Sequence, residues 1–183
     1  MKYFSNYWYV LFVRTGREEK ALNEVKDAFQ NDEVTSFVPR KENLFRKQGI
    51  VIKETHIMFP GYIFIETPLN GNEFSNLLKI RIPKSDSIIR ILSDPNKVGL
   101  SVPDEERKFF NDLWGNQNHC VEVSSGIIKG EHVIITEGAL VGQEGIIKMI
   151  NRHKLQASIE LELFGDIRQV KVGLEIIKKS SKY

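Results

Sequence analysis

Cysteine is nearly absent from this 183-residue chain: Cys120 stands alone, so neither an intramolecular disulfide framework nor a cysteine-rich zinc site can be built. No run reaches the ~18 apolar residues of a membrane span, and the N-terminus lacks the basic region and continuous apolar core of a signal peptide. A cytosolic protein with no membrane partner is expected. An excess of one charge is lacking too. With 26 Lys and Arg against 24 Asp and Glu the formal net charge is +2, too balanced for wholesale coating of nucleic acid, so any such binding must be local. His56, His119, His132 and His153 are scattered without metal-ligand spacing or a nearby nucleophile. Neither an enzyme nor a metal or cofactor is expected. What the chain does contain, 41% hydrophobic and 27% charged residues, is the ordinary composition of folded domains.

The organising stretch is Met58-Phe59-Pro60-Gly61-Tyr62-Ile63-Phe64-Ile65-Glu66. Pro60 fixes its own φ and pushes Phe59 toward an extended conformation, while Gly61 can take the positive φ at the third position of a type II corner. Beyond the bend, Tyr62, Phe64 and Glu66 fall on one face of a strand and Ile63 and Ile65 on the other. Two readings of the aromatic face stand side by side: packing under a covering helix, or an exposed apolar pocket that receives a partner.

Tyr7 to Val13, aromatic and β-branched, reads as a buried strand. Thr15-Gly16-Arg17-Glu18 then matches a capping box, and a helix is expected from Gly16 or Arg17 with Ala21, Leu22, Val25, Ala28 and Phe29 on its apolar face. Val34 to Pro39 reads as a strand near a sheet edge. Arg40 to Lys53 is rich in cations and has Gly49 at a hairpin tip, which makes it either a solvated surface hairpin or a basic finger. After the corner strand, Phe74, Leu77, Leu78 and Arg81 recur at helical spacing, Pro83 ends that helix, Ser87 to Leu92 forms another strand, and Ser93-Asp94-Pro95-Asn96 turns the chain. Strand, helix, strand, strand, helix, strand is the split βαβ order of a ferredoxin-like sheet. A third helix follows Ser101, with Asp104, Glu105 and Glu106 in its first turn and Phe109, Phe110, Leu113 and Trp114 on its apolar stripe.

Gly115 to Gly126 has the composition of a flexible linker. Beyond it the pattern changes to short strands between glycine turns: Val133 to Thr136, Glu144 to Ile150, Leu155 to Leu163 and Arg168 to Val172. A five-stranded SH3-like barrel accommodates them. The fold class is therefore α+β: a ferredoxin-like domain over residues 1–114, a linker over 115–126 and an SH3-like barrel over 127–183. The +2 of the whole chain falls in the barrel segment, which carries nine Lys and Arg against seven Asp and Glu.

Trp8-Tyr9 opening a strand, the Gly16-Arg17-Glu18 helix start, Phe59-Pro60-Gly61-Tyr62-Ile63-Phe64 and the run from Gly130 to Ile147 together resemble the NusG family of transcription elongation factors, with an N-terminal NGN domain and a C-terminal KOW domain. The resemblance implies a factor carried on RNA polymerase, its first domain on the clamp helices of the largest subunit, acting as a monomer. Residue by residue it implies that Trp8, Tyr9, Phe59, Pro60, Tyr62 and Phe64 form the apolar clamp-helix pocket, and that Ser75 and Asn76 at the start of the second helix face the opposite jaw. It also brings in nucleic-acid partners, nascent RNA including a leader hairpin and non-template DNA. Where housekeeping members read Phe-Gly-Arg in the last barrel turn, this chain has Phe164-Gly165-Asp166; the reversed charge points to a specialised antiterminator of selected operons. From the residues themselves, Lys148, Arg152, His153, Lys154, Arg168 and Lys171 are the candidate RNA edge of the barrel, set against the reading of solubilising charge. The alternatives are a general NusG-type elongation and termination factor, and a free-standing RNA-binding or ribosome-associated KOW module, against which the first domain speaks.

Overall fold

The structure, a computed structural model, describes residues 6–30, 34–93, 99–115, 118–130 and 132–180, with side chains to residue 177. The chain divides into two compact units, residues 1–39 with 59–107, and residues 40–58 with 108–183. No helix among the described residues is long and apolar enough to cross a membrane.

In the first unit, β1 (Tyr7–Val13), α1 (Glu18–Ala28), β2 (Thr35–Phe37), β5 (Tyr62–Thr67), α2 (Gly71–Arg81) and β6 (Ile88–Ile91) follow one another. The sheet order is β2-β5-β1-β6, antiparallel throughout, which is the ferredoxin-like topology expected from the element order. Period-2 alternation divides β1 and β5 into two faces. Tyr9, Leu11, Val13, Ile63 and Ile65, all buried, share the face that receives the helices: Tyr9 stacks on Phe74 of α2 with ring centroids 4.7 Å apart, and Phe74 meets Phe29, just past α1, at 5.9 Å.

The start of α1 departs from expectation. Its N-cap is Arg17, with no side-chain cap bond, and Thr15 and Glu18 form no capping box. The Glu18 carboxylate is buried and accepts instead from Gly61 N–H at 2.8 Å. α2 holds the reciprocal box: Asn70 Oδ1 accepts from the N–H groups of Asn72 and Glu73, and Glu73 Oε2 accepts from Asn70 N–H. The turn expected over Ser93–Asn96 lies, past Ser93, outside the described residues.

The second unit contains β3 (Arg40–Lys47) and β4 (Ile50–Ile57), a hairpin whose two tip residues, Gln48 and Gly49, both take positive φ, as a type I′ turn requires. α3 (Asp104–Trp114) runs into this unit and buries Phe110, Leu113 and Trp114. The segment read as a linker carries strands: β7 (Cys120–Val121) pairs in parallel with Arg40 and Lys41, and β8 (Ser124–Lys129) joins a five-stranded sheet. Asn116 and Gln117 of that segment lie outside the described residues. Backbone pairing with a distant partner makes a strand of a stretch that has no periodicity of its own. The sheet also contains β9 (His132–Glu137), β10 (Ile147–Asn151), β11 (Gln156–Leu163) and β12 (Asp166–Ser180), in the order β10-β11-β12-β8-β9. The expected strand from Glu144 starts as a 3₁₀ turn over Glu144–Ile146. β12 extends well past Val172, because after pairing with β11 it continues as the parallel neighbour of β8.

The hairpin, placed by the sequence inside the first 114 residues, clusters with the barrel sheet. A Cβ at Gly173 of β12 would stand 3.1 Å from the Glu42 carbonyl oxygen and 3.4 Å from Leu44 Cγ, so only glycine admits so close an approach of β3.

Candidate functional site

The corner between β4 and β5 is a type II turn. Gly61 has φ +85°, and Tyr62 N–H donates to the Phe59 carbonyl at 3.2 Å. Glycine is required twice over: its φ is left-handed, and a Cβ there would meet Thr15 Oγ1 at 3.2 Å and the Val13 carbonyl at 3.3 Å. Gly61 C=O accepts from Val13 N–H at 2.8 Å, which ties the corner to the end of β1.

Register then sorts the aromatic residues. Trp8 stands opposite Glu66, Val10 opposite Phe64, and Phe12 opposite Tyr62, so Trp8, Phe12, Tyr62 and Phe64 share the face away from α1 and α2. Phe37 enters this face from β2, opposite Phe64. Trp8 meets Phe37 at 5.6 Å and Phe64 at 6.2 Å, both edge-on; Phe37 and Phe64 stack at 5.6 Å, Phe59 and Phe64 at 6.3 Å, and Phe12 tilts against Tyr62 at 5.6 Å. Trp8, Phe59 and Phe64 are buried, Tyr62 is half-buried and Pro60 is exposed. The solvent-facing part of the cluster is therefore its rim, Phe12, Pro60 and Tyr62. Phe12 and Phe37 were missed by the sequence reading, although counting every second residue from Trp8 along β1 reaches Phe12.

Two other parts of the expected polymerase-binding set lie elsewhere. Tyr9 projects to the helix-covered face, where its hydroxyl donates to the Leu69 carbonyl at 2.8 Å. Burial, with the neighbouring Tyr7 and Glu73 adding to it, pushes its phenol up to about 12. Ser75 and Asn76 sit on α2, half-buried and exposed respectively. The structure thus brings together Trp8, Phe59, Pro60, Tyr62 and Phe64 and separates Tyr9, Ser75 and Asn76 from them.

The candidate RNA edge divides likewise. Arg152, His153 and Lys154 are exposed in the turn between β10 and β11, which is held by Lys154 N–H donating to Asn151 Oδ1 at 3.0 Å. Lys171 stands opposite Ser158 on the outward face of β11 and β12 and is exposed. Lys148 is tied to Glu160 at 3.3 Å. A hydrogen bond from Gln169 and the Lys148 ammonium hold the Glu160 carboxyl below the usual carboxylate range. Arg168 is opposite Leu161 on the inward register, half-buried, with Nη2 on Asp166 Oδ2 at 3.2 Å. Counting from Leu161 back to Gln156 at ~3.3 Å per residue separates Arg168 from the basic turn by about 16 Å. Lys171 with the Arg152–Lys154 turn is the part that can act as one surface. Among the described residues no group of three His, Cys, Asp or Glu side chains is placed to hold a metal ion.

A family model described as "Transcription termination factor nusG" matches residues 6–111, and one described as "KOW motif" matches residues 129–160. The curated "Transcription termination/antitermination protein NusG" of Staphylococcus carnosus is 23% identical over 177 residues, 94% of each chain. The protein of the same name from Chlamydia trachomatis is 24% identical over 164 residues, 86% of each chain. Among solved structures, one described as "Domain interaction in Thermotoga maritima NusG" superposes with a TM-score of 0.53 at 18% identity, covering 94% of each chain; this likeness is one of fold.

Proposed function

Because the chain belongs to the NusG family, whose model spans more than half of it, we propose that it is a transcription elongation factor of the termination and antitermination kind that works on RNA polymerase. In this reading residues 1–114 seat on the clamp helices of the largest polymerase subunit, 115–126 connect, and 127–183 reach RNA or a protein partner. The observation that carries it is the corner at Phe59–Tyr62, which builds an aromatic cluster on the face of the sheet away from α1 and α2 and leaves Phe12, Pro60 and Tyr62 as its accessible members. Aromatic anchors at the centre of an interface are typically worth ~2 kcal/mol or more. The finer proposal is processive antitermination on selected operons. It is supported by Asp166, the first residue of β12 after the Phe164–Gly165 turn, where housekeeping members of the family carry a cation, and which is engaged by Arg168.

The second reading, a general elongation and termination factor, is favoured by the match over 94% of the chain to a relative named "Transcription termination/antitermination protein NusG". Mapping the protein along the genome during growth separates the two. Occupancy confined to a few transcription units supports the specialised reading; occupancy following polymerase everywhere supports the general one. Retention of full polymerase affinity by a folded Tyr62→Ala variant would remove the clamp-helix assignment from both.

A further inference from the structure

The four-stranded sheet of the first unit ends at β6, which pairs with β1 on one side and with no strand on the other among the described residues. Arg90 stands opposite Phe12, and Leu92 N–H donates to the Val10 carbonyl at 2.8 Å. In an antiparallel ladder the inward-bonding residues alternate, so Ile91 turns its N–H and C=O away from β1, toward the open edge. Along that edge runs a groove of about 650 Å³ between β6 and α2. Leu78 and Ile82 line its helix side, and Ile88, Ile89 and Ile91 its strand side. Ile89, at the register shift in β6, is 52% exposed. Lys79 and Lys84 line the groove against a single carboxylate, Asp86, while Arg90, opposite Phe12, stands on the other face of the sheet; the groove presents apolar side chains, a backbone edge unpaired among the described residues and an excess of positive charge.

We infer that this groove docks an extended, acidic segment of a partner protein, which adds to β6 as a fifth antiparallel strand. Each feature supplies one part of strand-addition recognition: the edge gives main-chain hydrogen bonds, and the groove takes alternate apolar side chains. The two lysines select acidic residues between them and disfavour a basic segment, since like charges repel. Arg90 also explains how the edge avoids indiscriminate pairing, because charged side chains on an edge strand blunt self-association. The surface involves neither the aromatic corner nor the basic turn of the barrel.

The test uses the full-length protein and two synthetic peptides, one alternating valine with aspartate and glutamate, the other alternating valine with lysine. Backbone amide exchange is read residue by residue. Saturation with the acidic peptide is expected to slow exchange of the Ile91 amide about tenfold or more, while the basic peptide leaves it unchanged. In the Lys79→Glu, Lys84→Glu double variant the preference should invert. Ile89→Asp, at a half-exposed position, should abolish the protection without altering exchange in β1 and β5. Unchanged Ile91 exchange with the acidic peptide overturns the proposal, as does equal protection by both peptides. Protection that rises with protein concentration in the absence of peptide also overturns it, by identifying a second copy of this chain as the occupant.

Discussion

Glu18 and Gly61 lie 43 positions apart in the chain, and a carboxylate oxygen of the first accepts the amide proton of the second at 2.8 Å, away from solvent. The first turn of α1 is thereby pinned to the corner that sets the direction of β5. Replacing Glu18 with alanine leaves the Gly61 N–H buried without its acceptor, and a hydrogen bond to a charged group contributes roughly 1.5–3 kcal/mol. Glu18→Ala is expected to lower stability by about that amount in urea titration, and Glu18→Gln by less. Gly61→Ala should cost about 1–3 kcal/mol through its left-handed φ. An unchanged midpoint for both variants would show that the corner does not depend on this bond.

Phe59 and Tyr62 are expected to behave differently on truncation. Phe59 is 5% exposed, so Phe59→Ala should destabilise the fold by ~3–5 kcal/mol and report little about partners. Tyr62 is half-buried. Its alanine variant should unfold nearly like the parent while losing polymerase affinity by ~2 kcal/mol, measured by titration against purified polymerase.

Stability should fall in acid through Glu42. Burial pushes its carboxyl up, but the hydrogen bond from Lys53, the N–H of Val123 and the Lys53 charge together outweigh it, and the carboxyl titrates below its ordinary 4.5. A carboxyl depressed in the folded state stabilises above its unfolded value, and that contribution is lost as pH drops through the folded value. Lys53 is raised by the same pair, so its share persists at neutral pH and disappears only in alkali, as pH climbs through its folded value. Glu42→Gln should flatten the acid limb of a stability–pH curve below about pH 4.5; a variant with an unaltered acid limb would contradict the assignment.

Gly138 is expected to be intolerant of any side chain. A Cβ there would lie 2.2 Å from the Val123 carbonyl oxygen and 2.6 Å from Ser124 Cα, and its φ is +91°. Both neighbours are backbone, so relief requires β8 to shift. Gly138→Ala should cost about 3 kcal/mol or more, seen as early melting of the barrel amides. Gly142, also at positive φ but with nothing within 4 Å, should cost only about 1 kcal/mol on the same change.

For RNA, replacing Arg152 and Lys154 together should weaken binding of a leader hairpin across sequences and reduce the salt slope by about one unit for each lost phosphate contact. Arg168→Ala should change the slope far less, since its guanidinium is engaged with Asp166. Equal effects at the two places would mean that the whole barrel edge binds.

Much of the fold was legible as local pattern. The strand of Tyr7–Val13, the helix carrying Phe74 and Leu78, the glycine tip of the hairpin and the Phe59–Tyr62 corner each follow from periodicity or turn chemistry within a few residues, where steric preference acts directly on the backbone. The order of those elements then selected the ferredoxin-like sheet, because few chain paths close it. Tertiary structure decided what depends on partners remote in the chain. Glu18 satisfies the capping pattern, yet a buried Gly61 N–H outbids an exposed helix end that water can serve. Residues 120–121 and 124–129 form strands because Arg40 with Lys41, and the end of β12, present open edges to them, and Tyr9 parts from Trp8 because adjacent residues of a strand face opposite sides of the sheet. Short-range propensity reads conformation, whereas which buried donor finds which acceptor is settled only when segments tens of residues apart are packed against each other.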